Sequence, residues 1–192
     1  MTPRMKQRFQ EQVKPRLQQQ FGLDNPMAMP RLEKIIISVG LGRSLEGTKI
    51  NAKARETVLR DLATIAGQKP VMTRARKSVS NFKVRAGYEV GCMVTVRGQR
   101  MWEFLDRLIT LAIPRIKDFR GLNPDSFDAQ GSYSLGLSEQ GVFPEVDMAH
   151  TEFVHGMNIT LVMRNSDPEK SRLVLRELGM PFSGAPAAAA AG

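Results

Sequence analysis

The hydrophobic period of this chain changes at Gly98 with no linker between the two patterns. In GCMVTVRG (91–98), Cys92, Val94 and Val96 alternate with Met93, Thr95 and Arg97, the two-residue repeat of a strand with one face on a core. In QRMWEFLDRLITLAI (99–113), Met101, Phe104, Leu105, Leu108, Leu111 and Ala112 keep helical spacing until Pro114 stops it. RLEKIIISVG (31–40) reads as another strand, with Ile35, Ile37 and Val39 on one face and Lys34, Ile36 and Ser38 on the other. Its Ile-rich run predicts burial on both sides, and GSYSLGLSEQ (131–140) and MNITLVMR (157–164) are further strand candidates.

Three more segments read as helices. Met5, Phe9, Val13, Leu17 and Phe21 recur every four residues, and Pro15 among them predicts a kink or an early break. A second helix is predicted from about Lys49 to Ala66, with Gly67 placed to cap it and Pro70 beyond. DPEKSRLVLRELG sets Asp167 as N-cap, Pro168 in the first helical position and Gly179 after the last turn. Helices and strands mix without regular alternation, which predicts an α+β fold with helices layered on a largely antiparallel sheet. A length of 192 residues at 42% hydrophobic suits one core and is short for two. A single domain over residues 1–182 is expected, with SGAPAAAAAG (183–192) as a low-complexity, disordered tail.

No constellation for catalysis emerges. Gly42-Arg43-Ser44-Leu45-Glu46-Gly47-Thr48-Lys49 approaches a phosphate-binding loop, but Thr48 and Lys49 stand in the wrong order and no strand ending in Asp follows. Gly40-x-Gly42 lacks the third glycine of a dinucleotide fingerprint, since Leu45 occupies that place. A tight strand-to-helix turn is the expectation there. His150 and His155 stand five apart near Glu145, Asp147 and Glu152 without a third ligand in register, which favours a solvated loop over a metal site. Cys92 reads as a small buried apolar group, and Ser138 has no partnered base. Neither a metal nor a cofactor is expected. One cysteine excludes a disulfide framework, and no apolar run approaches the ~20 residues of a bilayer span, so a reducing, cytoplasmic setting fits.

Charge is the feature left unabsorbed. The net charge is +9, but residues 1–100 carry +13 and the remainder −4. From Asp61 to Glu89 no acid intervenes, while Lys69, Arg74, Arg76, Lys77, Lys83 and Arg85 fall inside, and Arg97 and Arg100 follow. Like charges without counter-ions repel, so a polyanion is the expected partner. The run lacks the apolar face of an interfacial helix, which favours nucleic acid over a membrane surface. Ser78, Ser80, Asn81, Thr73 and Thr95 supply donors suited to phosphates and ribose. Tyr88 and Phe82 could stack on bases, although Phe82 reads more readily as core.

GQKPVMTRARKSVSNFKVRAGYEVGCMVTVRGQRMWEFLDRLITLAIPRIKDFRGL, followed by SFDAQGSYSLGLSEQGVFPEVD and GMNITLVMR, closely resembles bacterial large-subunit ribosomal protein five, the 5S rRNA binder of the central protuberance. The resemblance runs from about Met5 to Phe182. It implies an α+β fold, no enzymatic activity, and binding to 5S rRNA with contact to 23S rRNA and neighbouring large-subunit proteins. It implies a loop close to the peptidyl-site tRNA and a bridge to a basic protein in the small-subunit head. The family's 5S rRNA contact residues correspond to Ser38, Gln68 and Thr95. Ser38 stands where the family has Asn, and a hydroxyl lacks the paired donor and acceptor of a carboxamide. The segment from Thr73 to Lys77 resembles the part that reaches toward tRNA, with Arg74, Arg76 and Lys77 on phosphates; a general rRNA-neutralising surface is the alternative. Glu139, Glu145, Asp147 and Glu152 fall in the part resembling the inter-subunit bridge, where an ordinary solvated acidic loop is the alternative.

Overall fold

In a computed structural model of the chain, the described residues are 2–23, 25–46, 49–148, 151 and 153–183. The architecture is α+β. A five-stranded sheet has the order β4-β5-β1-β7-β6, from β1 (Arg31–Gly40), β4 (Val71–Arg74), β5 (Glu89–Val96), β6 (Tyr133–Leu137) and β7 (Met157–Arg164). Two short strands, β2 (Leu45–Glu46) and β3 (Lys49–Ile50), pair antiparallel on their own. The described residues form two compact units, one within Met1–Ile35, Arg97–Leu135 and Thr160–Gly192, the other within Ile36–Val96 and Gly136–Ile159.

In the first unit the N-terminal helix does not break at Pro15. It runs as α1 (Arg4–Arg8), a π-helical stretch Phe9–Val13 and α2 (Lys14–Phe21), with Met5, Phe9, Val13 and Leu17 buried. Proline removes a hydrogen bond and crowds the carbonyl four residues back, and a widened turn relieves both. The widening also suits the sequence. Apolar residues spaced by four drift ~40° per step round a helix of ~3.6 residues per turn, and one π turn takes back part of that drift. The same device recurs after α4 (Gly98–Arg107), where a π stretch Leu108–Ala112 leads into a 3₁₀ turn Ile113–Arg115 containing Pro114. Each π stretch ends two residues before its proline. Phe9 meets Trp102 at 5.5 Å between ring centroids, Arg4 pairs with Asp106 at 2.6 Å, and Arg16 pairs with Glu177 on α5 (Pro168–Glu177). Asp167 caps α5 as expected, its carboxylate accepting from the Lys170 amide at 3.0 Å.

In the second unit α3 (Ala52–Ala66) packs on β5. Asn51 accepts from the Lys53 amide at 2.9 Å and fixes the start of α3 at Ala52, later than the expected Lys49. Gly67 closes the helix at φ 62, as its position predicts. The connection from β1 is therefore not a tight strand-to-helix turn. A 3₁₀ turn at Gly42–Ser44 and the β2-β3 pair intervene, while Gly47 and Thr48 of the phosphate-loop-like run lie outside the described residues. The strand expected over 131–140 is shorter, Tyr133–Leu137. Strand alternation otherwise holds. Ile37, Val39, Val94 and Val96 are buried, while Ile36, Ser38 and Thr95 between them are half-buried, so the Ile-rich run is fully covered on one side only.

Candidate nucleic-acid interface

The cationic run forms an ordered arm. β4 pairs antiparallel with β5 through Val71↔Met93, Met72↔Cys92, Thr73↔Gly91 and Arg74↔Glu89. The register shifts after Thr73 and leaves Val90 as the extra residue of a bulge, whose carbonyl accepts from Leu41 at 3.0 Å. Beyond the ladder the two strands stay joined. Ala75 donates to Tyr88 at 2.8 Å, Gly87 donates to Ala75 at 2.9 Å, and Val79 bridges Val84. A 3₁₀ turn Ser80–Phe82 makes the tip, and Ser78 Oγ accepts from the Ala86 amide at 3.0 Å.

Lys69 just before this arm and Arg74, Arg76, Lys77, Lys83 and Arg85 on it are all exposed, and none forms an ion pair with a described residue. The nearest acid in sequence, Glu89, is engaged elsewhere: its Oε2 accepts from Arg55 Nε at 3.0 Å. Without a counter-ion among the described residues the six charges present a positive surface. Arg97 and Arg100 are also exposed, at the start of α4. Phe82 is not core, the reading its sequence context favours, but 73% exposed in the turn at the tip.

Of the three residues singled out for 5S rRNA, Ser38 and Thr95 sit half-buried on the neighbouring strands β1 and β5, and each alternates with buried core positions. Gln68 is exposed between Gly67 and the start of β4. Ser38 also lines a cleft of about 670 Å³ with Gly40, Gly42, Glu139, Val154 and Asn158. Pattern reading does not single out Asn158; its exposed place in the alternating MNITLVMR strand is the signal available. Of the acidic residues, Glu139 and Asp147 are exposed and Glu145 is half-buried. Glu152 and His150 lie outside the described residues.

A family model for ribosomal protein L5 matches residues 25–85, and a second model, for the C-terminus of the same ribosomal protein family, matches 89–182. The large ribosomal subunit protein uL5 of Symbiobacterium thermophilum is 49% identical over 179 residues, which is 93% of this chain and 97% of that protein. That of Roseiflexus castenholzii is 50% identical over 182 residues, 95% of this chain and 99% of its own.

The chain belongs to the uL5 family.

As a uL5 protein it is a structural constituent of the large ribosomal subunit, not an enzyme, and its partners are rRNA and other ribosomal proteins. Among the described residues no group of His, Cys, Asp and Glu could hold a metal, and no helix is long and apolar enough to cross a membrane. Cys92 is buried in this uL5 chain, and burial pushes its thiol up, which suits an inert packing role.

His155 corrects the solvated-loop reading of its segment. It is 5% exposed, its amide donates to Gln140 Oε1 at 2.8 Å, and Gln140 Nε2 donates to the Phe153 carbonyl at 3.0 Å. Phe153 stacks on the imidazole at 6.2 Å. Its Nε2 faces Asp61 Oδ2 of α3 at 3.6 Å, too long for a hydrogen bond. Asp61 is itself a legible clue, since it interrupts the apolar stripe of Val58, Leu62 and Ile65. Burial holds the His155 imidazole below its ordinary value of 6.5, and the Gly156 carbonyl and Asp61 pull the other way without offsetting it. The unfolded chain then binds the proton more readily, so stability is full above 6.5 and drains as pH falls through that value toward the lower folded one. Thermal melts should show a drop in Tm between pH 7 and 5 that His155→Gln flattens. Parallel profiles for the two proteins would refute this.

Proposed function

We propose that this uL5 protein binds 5S rRNA through Ser38, Gln68 and Thr95, touches 23S rRNA, and holds the arm toward the peptidyl-site tRNA. The observation that carries the reading is the arm: five exposed cations on a hydrogen-bonded hairpin and Lys69 just before it, with no described acid paired to them. Phosphate contacts fix position without reading sequence, which suits a surface that meets every elongator tRNA. Lys69, Thr73, Arg74, Arg76, Lys77, Lys83 and Arg85 are the phosphate-binding group, with Arg97 and Arg100 as further rRNA contacts. Specific recognition of 5S rRNA falls to exposed Gln68 and half-buried Thr95 beside the arm's base, and less to Ser38, whose hydroxyl lacks the reach and the paired donor and acceptor of a carboxamide. The acidic segment with Glu139, Glu145, Asp147 and Glu152 suits a basic protein of the small-subunit head, because opposite charges in solvent give fast, salt-sensitive contact.

Filter binding to 5S rRNA, against a structured RNA of similar length, tests the reading. Gln68→Ala and Thr95→Ala should each weaken 5S rRNA binding by ~5-fold, the worth of about one hydrogen bond, and leave the control RNA unchanged. Equal affinity for both RNAs, erased by salt and indifferent to both substitutions, would leave only a non-specific polyanion binder.

A further inference from the structure

Phe82 has no role in the reading above, and its position is unusual. At 73% exposure it exceeds every other large apolar side chain among the described residues. It ends the 3₁₀ turn Ser80–Phe82, which Lys83 closes in the left-handed region at φ 52 by donating its amide to the Ser80 carbonyl at 2.9 Å. A non-glycine residue in that region costs free energy and persists only where its surroundings hold it, here through the turn hydrogen bond from the Lys83 amide. Below it the Val79–Val84 bridge locks the two strands, and Ser78, Ser80, Lys83 and Arg85 line one shallow recess. An exposed aromatic ring on a fixed turn, with cations on both sides in sequence and no acid nearby, matches what a folded RNA presents at an unpaired or helix-ending base: a flat π-face between phosphates.

We propose that Phe82 stacks on an exposed nucleobase of the RNA that the arm's cations hold. The inference rests on the RNA-binding reading of the arm and adds to it a contact that is not electrostatic. A membrane is the other surface that takes an exposed ring among cations. Here Phe82 and the less exposed Val79 stand among Ser78, Ser80, Asn81 and Lys83, where an interfacial segment would need a continuous apolar face.

The full-length chain should be titrated with an elongator tRNA transcript over a salt series. Phe82→Ala should weaken binding about tenfold and leave the salt slope unchanged, because stacking is lost and no charge is removed. Phe82→Leu, which keeps apolar bulk without a ring, should fall with Phe82→Ala. Phe82→Trp should bind as tightly as the parent, with indole emission quenched by RNA above the background of buried Trp102. Melting temperatures should match throughout, since the site is exposed. Parent-like affinity in Phe82→Ala or Phe82→Leu, or a changed salt slope, would overturn the stacking assignment while leaving the cationic reading intact. Loss of binding to phosphatidylserine vesicles in Phe82→Ala, with RNA binding unaltered, would move the site to membranes. A parent protein that shows no salt-dependent RNA binding would overturn the underlying reading and this one with it.

Discussion

Replacing Arg74, Arg76 and Lys77 together with alanine should reduce affinity for structured RNA by about 10²-fold at 150 mM salt and leave the fold intact. Each cation on a phosphate releases counter-ions, and log K changes with log salt by ~0.9 per contact on a duplex. Six contacts imply a ~10³-fold loss of affinity between 50 and 200 mM, and three implies a loss of only ~40-fold. The slope should therefore fall by about three as well as the affinity, which separates lost phosphate contacts from a damaged fold. All three side chains are exposed, and none forms an ion pair with a described residue, so their removal breaks no described ion pair that would confound the result. Arg55→Ala is the useful contrast. It would free Glu89 at the foot of the arm, place an uncompensated carboxylate there, and weaken binding without removing a charge from the arm itself. A slope unchanged in the triple variant would place the phosphates elsewhere and leave Arg97 and Arg100 as the next candidates.

Where local chemistry alone decides an element, the sequence is sufficient. The alternation of Cys92, Val94 and Val96, the Gly67 cap and the Asp167-Pro168 start each follow from contacts within a few residues, and each is present. The bare run of cations is legible for the same reason, since absence of acids is a sequence property. Elements decided by distant partners are not legible. His155 looks solvated because Asp61 and Gln140, 94 and 15 residues away, supply what buries it. Phe82 looks like core because apolar residues commonly are, and only the hairpin pairing of β4 with β5 shows that it ends an arm. The short β2-β3 pair has no alternation long enough to announce it. Pro15 predicts a kink or a break, and the helix takes the proline without breaking, through a π turn that needs Trp102 and α5 on the far side to keep Phe9 and Val13 buried. Ser38, Gln68 and Thr95 come from family likeness and from no pattern, because hydroxyl and carboxamide groups on an open surface carry no periodic signal.

Gly91→Ala should destabilise the protein by about 3 kcal/mol, near the upper end for overpacking against groups that cannot move aside. A Cβ there would lie 2.6 Å from the Val39 carbonyl oxygen and 3.1 Å from Thr73 Oγ1. The hydroxyl can rotate away, but the carbonyl belongs to β1, the neighbour of β5 in the sheet, and gives way only if the strands separate. Gly91 also faces Thr73 immediately before the register shift that starts the arm. The strain therefore falls where the sheet carrying Ser38 and Thr95 passes into the cationic hairpin, and RNA affinity should drop along with stability. For a chain of this size the expected fall in Tm is ~6–12 °C. Gly136→Ala provides the control. Its Cβ would meet only the side-chain oxygen of Asn158 at 3.4 Å, an ordinary contact, so its Tm should stay near the parent value. Equal melting temperatures for the two variants would mean that β5 and β1 approach less closely in solution than 2.6 Å requires, and the position of the arm would then rest on the β4-β5 ladder alone.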